Sequence, residues 1–168
     1  MKTLVALSLW LAAASLAFAA PDAAPKPTRL DTMKKLAGSW QAVDADGKPA
    51  AAVAYRVTSA GSAVEETLFP GTDHEMITMY TMDGDDLVLT HYCALGNQPH
   101  MKAEPEKDPH VLVFSYTSGG NMKSRDEQHM DALTLTIADD THVRHDWTMW
   151  KDGKAVRHVV FDFVKKPD

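Results

Sequence analysis

The sequence has a single cysteine, Cys93, among 168 residues. One thiol closes no intrachain disulfide, which excludes a disulfide-stapled mini-protein and any multi-cysteine zinc or iron–sulfur site. Basic residues are also short, with 17 Lys and Arg against 23 Asp and Glu and a net charge of −6. Nucleic acids and anionic membranes require a basic footprint, so neither is expected as a partner. Past the first twenty residues no apolar run reaches the roughly 20 residues that a helical membrane span needs. No internal repeat is present. What remains is a chain that is 45% hydrophobic, enough for one domain with a real core.

The N-terminus reads as an address. Met1-Lys2-Thr3 supplies a positive start, Leu4 to Ala20 a short alanine-rich apolar stretch, and Ala17-Phe18-Ala19 a cleavage site of small residues. This is the pattern of a secretory signal over residues 1–19. It predicts an exported protein, periplasmic or extracellular. Residues 20–29, rich in Pro and Ala, are expected as a flexible leader, and residues 30–168 as one domain.

Leu30, Met33 and Leu36 recur at helical spacing before Gly38, which predicts one short helix. After Gly38 the period changes to two. Alternating runs occupy 39–44, 51–58, 63–69, 75–82, 87–93, 100–104, 110–116, 132–138, 141–150 and 155–164. The breaks between them include Asp46-Gly47, Pro70-Gly71, Asp83-Gly84 and Asp152-Gly153. Asp-Gly between alternating runs marks a tight hairpin, because such turns need positive φ. The fold class that follows is all-β: an antiparallel up-and-down barrel of about ten strands with one short N-terminal helix. Closure removes the exposed edges that so many strands create.

Leu36-Ala37-Gly38-Ser39-Trp40, a short helix running into a first strand with Gly-x-Trp, resembles the opening of lipocalin-like (calycin) barrels. The resemblance implies structural roles for Gly38 and Trp40. The tryptophan would close one barrel end beneath a basic side chain from a late strand, here Arg144, Arg157 or Lys165. The block from Phe69-Pro70-Gly71-Thr72-Asp73-His74-Glu75-Met76 to His91-Tyr92-Cys93-Ala94-Leu95-Gly96-Asn97-Gln98-Pro99 resembles one in uncharacterised secreted bacterial proteins.

Alternation sorts the faces. A turn at Asp83-Gly84 or Gly84-Asp85 puts Met76, Thr78, Tyr80, Met82, Leu87, Leu89, His91 and Cys93 on one face, the more apolar, which is expected inside. A two-residue turn at Asp152-Gly153 pairs Trp147 with His158 and places Val143, His145, Trp147, Met149, Val156, His158 and Val160 together. That face is preferred as interior, because its polar members are only histidines; the alternative is the opposite face, His142, Arg144, Asp146, Thr148, Trp150, Arg157, Val159, Phe161 and Phe163. The candidate ligand-binding residues are therefore Tyr55, Met76, Tyr80, His91, Cys93, Met101, His145, Trp147 and His158.

Histidine and thiolate also ligate transition metals or haem, so His91, Cys93, His145 and His158 form an alternative metal set. None lies in a diagnostic metal spacing. Some ten-stranded barrels bind haem through one late-strand histidine, and His158 would be that residue. Those barrels open with Gly-x-Trp-x-Gly-x-Gly, whereas Trp40 is followed by Gln41-Ala42-Val43. Cys93 as a nucleophile needs a base, and same-face neighbours such as His91 lie about 7 Å away along a strand.

Asp73-His74-Glu75 is expected at a barrel rim. One of Glu65 and Glu66 must face inward, needing Arg56, Arg144 or Arg157 as partner or else a raised pKa. Gly96-Asn97-Gln98-Pro99 reads as a turn whose amides bind backbone; at the mouth, Asn97 and Gln98 would alternatively read a ligand's polar group. Residues 117–130 form the longest connection, a candidate mobile cover carrying Met122 and Met130. The leading expectation is an exported barrel that binds a small, largely hydrophobic molecule without catalysing a reaction. The alternatives are a metal, haem or enzymatic barrel, and a filled structural barrel of the envelope.

Overall fold

The structure, a computed structural model, describes residues 27–105 and 107–167. The expected signal segment and most of the leader lie outside the described residues. A short helix, α1 (Arg29–Lys34), is followed by ten strands. These are β1 (Gly38–Val43), β2 (Pro49–Thr58), β3 (Ala63–Leu68), β4 (Met76–Asp83), β5 (Asp86–Tyr92), β6 (Gln98–Ala103), β7 (Val111–Gly120), β8 (His129–Asp139), β9 (His142–Lys151) and β10 (Lys154–Lys165). Every strand pairs antiparallel with its sequence neighbour, and β1 pairs with β10 to close the barrel. This is the all-β, up-and-down architecture expected from the alternation, and its shape is compatible with a lipocalin-like fold.

The two barrel ends differ. At one end, β1 begins and β10 finishes, and α1 packs there against β2, β3 and β4. Leu30, Met33 and Leu36 are buried, so the helix seals that end with its apolar side. A capping box between Thr28 and Asp31 fixes its start. Trp40 lies fully buried beneath it and donates its indole N–H to the Leu36 carbonyl at 2.8 Å. Of the three basic residues considered for its cover, Lys165 takes the place, its Nζ 5.3 Å from the Trp40 ring centre. Gly38 adopts φ +124°, and a Cβ there would come within 3.0 Å of Lys165 Cε. Gly38 therefore serves both a backbone conformation and a close approach.

The opposite end carries the turns β1–β2, β3–β4, β5–β6, β7–β8 and β9–β10. Here the last hairpin departs from expectation. Ala155 pairs with Trp150, as the Asp152-Gly153 turn predicts, but Arg157 pairs with Met149 and Val159 with Trp147. Val156 is the extra residue of a β-bulge, so every later side chain of β10 sits one position out of the simple register. The interior face of β9 is Val143, His145, Trp147 and Met149, as expected. On β10 it is Arg157, Val159, Phe161 and Phe163, and Val156, His158 and Val160 point outward.

The connection between β7 and β8 also corrects an expectation. β7 continues to Gly120 and β8 starts at His129, which shortens the loop to residues 121–128. That loop is tied down rather than mobile. The Arg125 guanidinium lies between the Tyr116 and Trp150 rings, 4.2 and 4.3 Å from their centres, and it pairs with Asp131. The Gln128 carbonyl accepts from Asn97 Nδ2 at 2.9 Å, and the Asp126 carbonyl from the Asp152 amide at 2.9 Å.

Candidate functional site

The barrel is not filled to the end that the turns surround. A cavity of about 630 Å³ opens there, within the range of small-molecule sites. β3 and the β3–β4 turn contribute Leu68, Phe69, Thr72 and His74, and β4 contributes Met76. β5 and its turn give His91, Cys93, Ala94 and Leu95, and Met130 comes from β8. Trp147 and Met149 of β9 and Arg157, Val159 and Phe161 of β10 complete the wall. The lining is predominantly apolar, and Phe69 meets Phe161 edge to face at 5.6 Å across it.

Of the nine residues expected to bind ligand, four meet at this cavity: Met76, His91, Cys93 and Trp147. Four others, Tyr55, Tyr80, Met101 and His145, are buried in the core and do not line it. His158 is a correction. The bulge turns it outward, its side chain is 64% exposed, and it lies beside Asp146 and Thr148. The four-residue metal set is thereby dispersed. Among the described residues no three His, Cys, Asp or Glu side chains gather to hold a metal ion.

Beneath the cavity floor runs a buried polar network. Glu65 faces out and pairs with Arg56 at 2.7 Å, so Glu66 is the inward carboxyl of β3. Among the described residues no arginine reaches it. Tyr80 donates to Glu66 Oε2 at 2.8 Å, and Thr78 Oγ1 donates to Oε1 at 3.2 Å. Burial outweighs these hydrogen bonds and pushes the Glu66 pKa up to about 7. Thr78 Oγ1 also stands 2.9 Å from His91 Nδ1, and Tyr55 Oη stands 2.6 Å from His145 Nε2. Burial lowers the two imidazoles to about 4 and about 3, so both are neutral at ordinary pH.

His91 is the link between this network and the cavity. Its Nδ1 is engaged by Thr78, while its Nε2 is buried without a partner. Trp147, 4.8 Å away ring to ring, likewise leaves its Nε1 buried and unpartnered. Buried polar atoms normally find partners, so two adjacent orphans on a cavity wall mark a place for a ligand's polar group. Cys93 is half buried, its thiol donates towards Met76 Sδ at 4.0 Å, and burial raises its pKa. No histidine hydrogen-bonds it, so the geometry does not assemble a thiolate nucleophile.

At the rim, Glu75 accepts from the Gly71 amide at 2.6 Å and shapes the turn that presents His74. The Asp73-His74-Glu75 run thus lies at the mouth, with His74 alone on the cavity wall. Asn97 and Gln98 serve the turn, as the first of their two readings expects: their amides donate to the Gln128 and Gly96 backbone carbonyls, and neither residue lines the cavity. Sequence reasoning narrowed the inward carboxyl to Glu65 or Glu66 without choosing between them, and it missed the β10 wall of Arg157, Val159 and Phe161, which depends on a bulge that no local motif announces. No family model matches the chain, and no curated protein matches it.

Proposed function

We propose that this protein is an exported, lipocalin-like binding barrel that holds a small hydrophobic molecule in the cavity at its open end, without catalysing a reaction. The observation that carries this reading is the cavity itself, about 630 Å³ with a wall of Leu, Met, Phe, Val and Trp side chains. A barrel of this strand number has room for a ligand once its side chains stop short of filling it. A filled structural barrel would have no such volume. The helix-sealed end under Lys165 and Trp40 supports the lipocalin-like comparison, because it leaves one entrance.

Native mass spectrometry of the protein purified gently from an expressing cell tests the reading. The expected spectrum contains a released apolar molecule of low mass, seen at near stoichiometric amounts after organic extraction. An extract free of such molecules, from protein that also takes up none when incubated with a lipid mixture, would count against it.

A further inference from the structure

The two unpartnered buried nitrogens, on residues that line the cavity, specify more than an apolar ligand. Indole Nε1 of Trp147 is a donor only, so it asks for an oxygen that accepts. What His91 Nε2 asks for depends on which ring nitrogen carries the proton, and its other nitrogen decides that. Above about pH 7, where Glu66 is ionised, Thr78 Oγ1 donates its one hydrogen to the Glu66 carboxylate, so it has none left for His91. Nδ1 of His91 must then be the donor in the 2.9 Å bond to Thr78 Oγ1. The neutral ring consequently presents Nε2 as a bare acceptor. Tyr80, donating to the other oxygen of Glu66, leaves that direction unchanged.

One acceptor and one donor on neighbouring rings, centroids 4.8 Å apart, match a hydroxyl group, which accepts from Trp147 and donates to His91. An ether or ketone oxygen accepts only and leaves Nε2 unmatched. We propose that His91 and Trp147 form a hydroxyl-selective subsite, set by the Glu66–Thr78–His91 chain, so that the barrel takes hydrophobic alcohols. This rests on the binding reading above and adds the chemical class of ligand. Glu66 and Thr78 touch no ligand and act as positioning residues through His91.

The test compares dodecanol with its methyl ether at pH 8, by quenching of tryptophan fluorescence and by calorimetry, on the full exported chain. The alcohol is expected to bind about five- to tenfold more tightly, the worth of one buried hydrogen bond. In Glu66→Gln the side-chain amide can donate to Thr78, which reverses the chain and places a hydrogen on His91 Nε2. The alcohol's advantage should then fall to about twofold or less, with the ether bound no worse than before. Thr78→Val is the second variant should the first not fold; it cuts the chain and should likewise erase the preference, leaving ether affinity unchanged. Equal binding of alcohol and ether to the parent protein overturns the proposal, as does a preference that survives both variants. Failure of both molecules to bind overturns the binding reading itself, a different result from equal affinity.

Discussion

At the scale of single residues, the interior is decided by how buried charge is handled. Glu66 has only hydroxyl partners, so it keeps its proton up to about pH 7, against an ordinary value near 4.5. His91 and His145 stay neutral down to about pH 4 and about pH 3, against 6.5 in an unfolded chain. These shifts pull stability in opposite directions. The Glu66 contribution is full below pH 4.5 and lost as pH rises towards 7. The histidine contributions are full above pH 6.5 and lost as pH falls towards 4 and 3. Between pH 4.5 and 6.5 two histidines oppose one carboxyl, so net stability should rise by about 1.4 kcal/mol per pH unit. From 6.5 to 7 Glu66 acts alone and stability should decline slightly. Denaturant midpoints from pH 4.5 to 8 check this. Glu66→Gln should roughly double the slope of the rise and remove the decline, and an unchanged profile in that variant would show that Glu66 is not the group responsible.

At the scale of elements, β10 is where local pattern and tertiary structure part. Val156 is held outside the pairing, and Ala155 and Arg157 flank it opposite Trp150 and Met149. Deleting Val156 leaves consecutive partners on both strands, with Val159, Phe161 and Phe163 still inward. Deleting Val159 instead shifts those that follow and drives Phe161 and Phe163 towards solvent. The Val156 deletion is expected to fold with a thermal midpoint within a few degrees of the parent, and the Val159 deletion to lose cooperative unfolding. Calorimetry on both distinguishes them, and equal damage from the two would refute the bulge assignment.

The same strand shows what sequence can and cannot carry. Positions 76–93 were legible because a two-residue turn and strict alternation fix a hairpin, and Met76, Thr78, Tyr80, Leu87, Leu89 and His91 face inward as the pattern requires. Glu65 and Glu66 were legible as a pair of opposite faces, though the choice between them needed the neighbours. His158 was misread because a bulge adds a residue without changing composition. The cover expected over 117–130 was misread because the Arg125 contacts with Tyr116, Trp150 and Asp131 form only once β7, β8 and β9 lie side by side.

At the scale of the whole molecule, the asymmetry between ends organises everything else. One end is closed by α1, Trp40 and Lys165; the other holds the cavity and the turns around it. The Glu66 network lies between, so among the described residues the polar network of the core meets the cavity through His91. The account therefore requires that apolar molecules enter from the turn end and stop above His91 and Trp147. Val159 lines the cavity from β10 and carries no hydrogen bond of the network.

The most direct measurement is a titration with an uncharged apolar fluorophore, N-phenylnaphthylamine, on the parent protein and on Val159→Trp. The account predicts saturable uptake at one site per chain in the parent, and at least a tenfold loss of affinity when the indole occupies the cavity. Circular dichroism should show the same β signal and thermal midpoint in both. No saturable uptake by the parent, or equal uptake by a folded Val159→Trp variant, would contradict a binding site in the barrel.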